Sequence, residues 1–441
     1  MKPQPLRGFR DYLPEDMLAK ERMLDTVRAV FESHGYPPVA TPALEYAELL
    51  LGKYGDEGEM LMYRFRDNGD RDVAMRYDLT VPLARLVATH GGLPMPFRRY
   101  QIAPVWRAEK PAKGRFREFV QCDVDLVGVD DASADAEMLL IGQDVLRSLG
   151  VVSVRQRVNH RGVLRAITRV LGLAEGEEEG DFLRLLDKLD KIGAEKFRAA
   201  FAERFPAAGD AGAQRVLEIA GGEAPPRETL ARLEGMIGQD PDGAAAIERL
   251  RGTLDRVEAG GSLDLIEVDP SIARGLSYYT GIIYETFLGD LPEYGSVMSG
   301  GRYDGLVGMF AGRDLPAVGI SLGVDRLFAA LLELGSLEVR RTPSEVLVVQ
   351  FSEEGSVDAF RLAAALRSAG ISVLVHPQAA KLKKQFQAAN ALGIPFTAVV
   401  GRDEAARGTL QLKEMGSGEQ VEVDVAEAVR RIRAGVEGEG R

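Results

Sequence analysis

Cysteine is almost missing from this chain: Cys122 is the single one in 441 residues. That excludes an intramolecular disulfide framework and any metal site built on clustered thiolates, and it points to a reducing compartment. Histidine is scarce too. The four present (His34, His90, His160 and His376) include no pair at metal-ligand spacing, so histidine is a thin basis for catalysis. No apolar run approaches the roughly 20 residues that span a bilayer, and the start MKPQPLRGFRDYLPEDM is not a signal peptide. A cytoplasmic protein is expected. The phosphate loop GxxxxGKS/T, the zinc motif HExxH and the nucleophile elbow GxSxG are all lacking.

Basic charge is the minority sign, with 55 Lys and Arg against 67 Asp and Glu, a net of -12. Against that background one stretch stands out. Between Phe97 and Arg117 lie seven basic residues (Arg98, Arg99, Arg107, Lys110, Lys113, Arg115, Arg117) and one acid, Glu109. Strand-like segments flank the turn-forming Glu109-Lys110-Pro111-Ala112-Lys113-Gly114, which predicts two antiparallel strands joined by a basic loop. Arginines on such strands suit a triphosphate, because a guanidinium fork holds phosphate oxygens two at a time. A solvated basic hairpin is the plainer alternative.

At this length two or three domains are expected, and 45% apolar with 28% charged residues is a globular composition. Leu24, Val27 and Phe31 mark a helix ending at Gly35, and the proline-bearing YPPVATPALEY suits a sheet edge or an interface. Arg7 to Pro14, RGFRDYLP, reads as an irregular lead-in. A hairpin at Asn68-Gly69 leads into a strand ending at Asp78 and Thr80, followed by a helix over 81–90. Met138, Ile141, Val145 and Leu149 predict an amphipathic helix, and a strand is expected from Val152 through Val158. Residues 172–261 are charge-rich and helical, an inserted subdomain, after which strands resume at Leu263. A charged linker, 336–344, precedes a tail in which strands alternate with helices over 345–441, a small α/β domain. The tail carries 12 basic and 13 acidic residues, so the acidic excess lies ahead of it.

Four polar clusters remain for chemistry: Asp78 with Thr80, Arg107 with Glu109 and Arg115, Gln121 with Asp125, and Arg274-Gly275-Leu276-Ser277-Tyr278-Tyr279. Gln121, Asp123 and Asp125 share one face of a strand if the period is two. Buried acids are costly without a cation or donor, which a ligand ammonium group or an internal arginine would supply.

The stretch RRYQIAPVWRAEKPAKGRFREFVQCDVDLVG resembles motif 2 of the class II aminoacyl-tRNA synthetases. IARGLSYYTGIIYE resembles the signature of the histidyl-tRNA synthetases. SGGRYDGL with PAVGISLGVDRL is similar to their motif 3 region, RYDLTVPLARLVA to the segment before motif 2, and YPPVATPALEY to motif 1, the dimer-forming element. The resemblance implies an α+β fold: a class II antiparallel sheet flanked by helices over 1–335, a helical insertion at 172–261, and a C-terminal α/β anticodon-binding domain at 345–441. It also implies histidine activation with ATP and Mg²⁺, transfer to the terminal adenosine of tRNA(His), and a homodimer.

Carried onto this sequence, the resemblance places Asp78, Leu79, Thr80, Gln121, Asp125, Tyr278 and Tyr279 around histidine. Arg107 and Arg274 would be catalytic, facing the substrate carboxylate and the α-phosphate. Glu109, Arg115, Phe116 and Arg326 would join Arg107 in holding ATP, with Phe116 stacked on adenine. Lys381, Lys383, Lys384 and Arg402 would meet tRNA. Ser277 departs from the pattern, standing where many members have Asp. The rival reading is a non-catalytic histidine-binding regulatory paralogue of ATP phosphoribosyltransferase, a type that typically lacks the tail domain and the arginines; both are present here.

Overall fold

The computed structural model describes residues 3–51, 60–111, 116–220, 224–273, 279–312, 314–350, 352–353 and 355–439. Its contacts separate two compact units, Met1–Arg10 with Asp25–Ser336, and Asp11–Leu24 with Leu337–Arg441.

The first unit begins with a small sheet of β1 (Leu44–Tyr46), β2 (Arg64–Arg66) and β3 (Asp72–Met75), in the order β1-β3-β2. The expected hairpin at Asn68-Gly69 joins β2 to β3, and β1, from the proline-bearing segment, is an edge. The main sheet is built from β4 (Phe97–Trp106), β5 (Glu118–Val127), β6 (Val154–His160), β7 (Ile266–Val268), β8 (Ile282–Leu288), β9 (Ser296–Arg302) and β10 (Ala317–Gly323). Its order is β4-β5-β10-β9-β8-β6-β7, antiparallel except for the β6–β7 pair. The antiparallel class II architecture implied by the motifs is therefore observed.

Register explains the two faces of this sheet. One line of directly opposed residues crosses all seven strands as Glu267, Arg157, Glu285, Ser299, Ser321, Asp123 and Gln101. The next line along, from β6 to β4, reads Val158, Tyr284, Gly300, Ile320, Val124 and Tyr100. Because successive side chains alternate faces, one face of the sheet is polar and the other apolar. Helix Ala132–Ser148 covers the apolar face: Gly142 sits where a Cβ would press on Ile320 and Met298, and Met138, Ile141 and Val145 are fully buried. The β6 strand starts at Val154, and Val152 is 82% exposed, so the strand is shorter than its valines suggest.

Helices Glu177–Leu186, Leu189–Arg204, Gly209–Ala220, Pro226–Ile237 and Pro241–Ala259 occupy the charge-rich stretch, the first two packing around the rings of Phe182, Phe197, Phe201 and Phe205. The last runs along Ala132–Ser148, where Arg249 binds the buried Asp135 at 2.6 Å.

The second unit contains a five-stranded mixed sheet of β11 (Val346–Val348), β12 (Val373–Val375), β13 (Phe396–Val399), β14 (Thr409–Glu414) and β15 (Gln420–Asp424), ordered β12-β11-β13-β14-β15. β11 is parallel to both neighbours, and β14 and β15 are antiparallel. Helices Ser356–Ser368 and Val425–Glu439 share its apolar core. Among the described residues, no helix is long and apolar enough to cross a membrane.

Candidate active site

A cleft of about 310 Å³ opens over the polar face of the main sheet. Register orders its lining. From Asp125 through Asp123 to Gln121, β5 runs beside Gly319, Ser321 and Gly323 of β10. Arg107, leaving β4, bonds through its backbone N–H to Arg117 O at 2.8 Å, beyond Phe119 on the same end, and Arg326 follows β10 on the helix Val324–Glu333. Asp78, Asp123 and Asp125 thus gather at one end of the cleft, and Arg107 and Arg326 stand toward the other together with Glu109 and Asp325.

The acidic end rests on two devices. Asp78 precedes helix Thr80–Thr89 and its Oδ1 accepts from the backbone N–H of Thr80 and Val81, both at 3.1 Å. The helix start therefore fixes this carboxylate and favours its charge. Asp125 faces the fully buried Arg99 at 2.7 Å and accepts from the Tyr303 hydroxyl. Burial outweighs that arginine and pushes the Asp125 carboxyl up, with Asp78 adding to the rise.

Asp123 has less help. Burial is the main cause that raises its carboxyl to about 7, and Asp125 and Asp78 add repulsion. Its Oδ1 and the Gln121 Oε1 are buried without a hydrogen-bond partner among the described residues, while Gln121 Nε2 donates to Ser321 Oγ at 3.2 Å. Two orphaned acceptors on one floor call for a donor from outside, and an ammonium group is the donor that also relieves the charge.

Backbone shape completes this end. A Cβ at Gly319 would overlap the Asp125 carboxylate, and one at Gly301 would press on Tyr279 while clashing with Ile282 O. Glycine at these positions lets the acid and the tyrosine close around a small ligand.

At the other end, Arg107 donates from Nε to Tyr77 O at 3.1 Å, and its guanidinium lies 4.5 Å from the Tyr77 ring centre and 5.1 Å from that of Phe119. Held between the two rings, it stands at the junction of the acidic and basic ends. Phe116 and Glu109 line the wall, and Arg326 donates to Ser296 O.

Most of the expected site residues converge here: Asp78, Thr80, Arg107, Glu109, Phe116, Gln121, Asp125, Tyr279 and Arg326 all line the cleft. Leu79 does not. Its side chain is fully buried, and its contribution is a carbonyl that accepts from Arg99 at 3.3 Å. Arg115, Arg274, Ser277 and Tyr278 lie outside the described residues. The basic hairpin needs a correction as well: Arg98 pairs with Glu137 at 3.6 Å, Arg99 serves Asp125 inside the sheet, and Arg117 bonds to the carbonyls of Glu109 and Arg7. Three of the seven cations therefore stabilise the protein.

Sequence reasoning missed Ser299, Ser321 and Tyr303 as lining residues. The signal for them is parity: Ser321 lies opposite both Asp123 and Ser299. In the second unit, Lys381, Lys383 and Lys384 are exposed at the start of helix Leu382–Leu392, and Arg402 is exposed at the start of Arg402–Arg407.

The family model described as Histidyl-tRNA synthetase matches residues 8–327, and the one described as Anticodon binding domain matches 345–435. A "Histidine--tRNA ligase" of Rhodopirellula baltica is 44% identical over 428 residues, 96% of either chain. One of Aeropyrum pernix is 45% identical over 444 residues, 98% of either chain. The crystal structure of histidyl-tRNA synthetase from Nostoc sp. PCC 7120 superposes with a TM-score of 0.89 at 33% identity, covering 98% of this chain and 99% of that one. With three aspartates and two arginines lining one cleft on an antiparallel sheet, and a family match over most of its length, this chain belongs to the histidyl-tRNA synthetase family.

Proposed function

We propose that the cleft activates histidine with ATP, forming histidyl-adenylate and pyrophosphate, and then esterifies the terminal adenosine of tRNA(His). The observation that carries this reading is the layout of charge along one floor, with Asp78, Asp123 and Asp125 gathered at one end and the lining arginines, Arg107 and Arg326, toward the other beside Glu109 and Asp325. An amino acid has the same polarity, cationic at its ammonium and anionic at its carboxylate, and ATP extends the anion.

The α-carboxylate is ionised at neutral pH, so attack on the α-phosphorus requires no general base. The barrier lies in bringing two anions together and stabilising charge at phosphorus, which fixed cations do. Arg107, clamped between Tyr77 and Phe119, is placed for both anions. Arg274 is its partner by resemblance. Asp78, Gln121 and Asp125, with Thr80 and Tyr279, form the histidine end; Tyr278 and the Leu79 backbone are assigned there by resemblance. Glu109, Phe116 and Arg326, with Arg115 by resemblance, form the ATP end.

Among the described residues no three His, Cys, Asp or Glu side chains converge on a metal position. Mg²⁺ keeps waters and phosphate oxygens and needs one or two carboxylates; Glu109, which lines the cleft, is the carboxylate we assign to it at the ATP end. When bound, the ion neutralises phosphate charge.

We assign 1–335 as the catalytic domain with its insertion at 172–261, 336–344 as linker, and 345–441 as the anticodon-binding domain, whose Lys381, Lys383, Lys384 and Arg402 face RNA phosphates. The exposed Leu44 and Tyr46 on edge strand β1 support a homodimer through the 36–46 segment. The buried, free Cys122 is in keeping with work in the cytoplasm.

The regulatory-paralogue reading is not favoured, because the tail matches an anticodon-binding domain and the cleft retains its arginines. The test is amino-acid-dependent ATP–pyrophosphate exchange across the twenty amino acids without tRNA. Exchange with histidine alone is expected; histidine binding without exchange would restore the regulatory reading.

A further inference from the structure

Residues 7–10, the start of the lead-in, have no role in the scheme above, yet they dock at the ATP end of the cleft. Gly8 O accepts from Arg117 N–H at 2.8 Å, Arg7 O accepts from Arg117 Nη1 at 3.3 Å, and Phe9 packs edge-on against Tyr63 at 6.2 Å. Gly8 has φ +88°, a left-handed backbone, and a Cβ there would press on Arg117 and Pro111 at 2.9 Å. Residues 7–10 therefore form a strap across the base of the hairpin loop.

Arg10 ends this strap. Its guanidinium carbon stands 3.9 Å from the centre of the Phe116 ring, and its Nη2 donates to Asp325 Oδ1 at 2.8 Å. Asp325 is nearly buried, and its Oδ2 accepts from Val120 N–H at 3.3 Å. Phe116, Asp325 and Arg326 line the cleft, whereas Arg10 does not. The guanidinium thus lies against the ring of Phe116, which itself lines the cleft.

We propose that Arg10 is a nucleotide-positioning residue, holding Phe116 flat for the adenine of ATP and, through Asp325, tying that ring to Arg326. The inference rests on the ATP-end assignment made above. A side chain fixed before binding loses less freedom when the ligand arrives, and a guanidinium over an aromatic face is itself attractive. Arg10 therefore acts on ATP affinity and leaves the histidine end, at the far side of the floor, unaffected.

The experiment is histidine-dependent ATP–pyrophosphate exchange with the full-length wild type, Arg10→Met and Arg10→Lys, alongside calorimetric titration of each protein with ATP alone. For Arg10→Met, KM for ATP rises about tenfold while KM for histidine stays within twofold and kcat within threefold. Arg10→Lys, which keeps a cation near Asp325 but loses the planar stack on the ring, recovers part of the loss. An unchanged ATP KM, an equal rise in both KM values, or a lysine variant no better than methionine overturns the proposal. Absence of exchange in the wild type would count against the proposed reaction and not the strap, because the calorimetric comparison still decides: equal ATP affinity in wild type and Arg10→Met refutes the role of Arg10.

Discussion

The two larger sheets of this molecule keep their charges in opposite ways. In the seven-stranded sheet, charged residues sit on the strands themselves and are buried, with Arg99, Asp123 and Asp125 each no more than 3% exposed. In the five-stranded sheet the strands supply an apolar core, and the cations assigned to RNA stand exposed at helix starts. Buried charge is strong, specific and costly to misplace, as bond-making chemistry requires. Solvated charge is screened and forgiving, as docking of a flexible polyanion requires.

The contrast breaks most visibly at Arg107. Arg107→Ala lowers kcat for pyrophosphate exchange by about a thousandfold, read by steady-state exchange; a loss under tenfold would remove it from the reacting centre. Next comes the ion pair under the floor. Arg99→Leu leaves Asp125 buried without its cation and lowers unfolding stability by about 3–5 kcal/mol, measured by urea denaturation. A neutral result would mean that Tyr303 alone satisfies the acid.

On the tail, Lys383→Ala with Lys384→Ala weakens aminoacylation about tenfold through the KM for tRNA and spares pyrophosphate exchange. The salt slope of tRNA binding falls by about 1.4, two contacts at the single-strand value. Equal loss of both activities would place these lysines outside RNA recognition.

The smallest effect is in pH. A carboxyl raised to about 7 is protonated below that value and offers no anion to an ammonium group. Histidine affinity therefore rises as pH climbs through about 7, and Asp123→Asn flattens the part of the profile that the imidazole of free histidine does not supply. For stability without ligand the sign reverses: the raised carboxyl favours the folded state below its ordinary range near 3.8 and loses that contribution as pH rises through 7. A wild-type profile unchanged by Asp123→Asn would exclude Asp123 from histidine binding.

Much of the site was legible because β4 and β5 are long strands, and polar and apolar residues alternate strictly from Gln121 to Leu126. Parity alone puts Gln121, Asp123 and Asp125 together. Charge counting misled at Arg98 and Arg99, since neighbours on a strand face opposite ways and the partners, Glu137 and Asp125, lie more than 25 residues further along. In the tail, β14 and β15 break the expected alternation of strands with helices, because Gln420–Asp424 sets polar residues between valines on an exposed edge, and the helix Arg402–Arg407, six residues between Gly401 and Gly408, carries no periodic signal. Leu79 brings no side chain to the cleft for a local reason: it directly precedes the helix, so its neighbours Asp78 and Thr80 reach the cleft while its side chain turns inward.

The line of polar residues across the seven strands has a consequence for how such a cleft can change. Hydrogen-bonded register locks β10 to both of its neighbours, so deleting one residue from it would turn the side chain of Ile320 or Leu322 onto the polar face and drive Ser321 into the apolar layer. Insertions and deletions within these strands are closed to adaptation. New specificity must come from point substitutions at a short set of positions, 121, 123, 125, 299 and 321, which makes them the first coordinates of any library meant to retarget the enzyme.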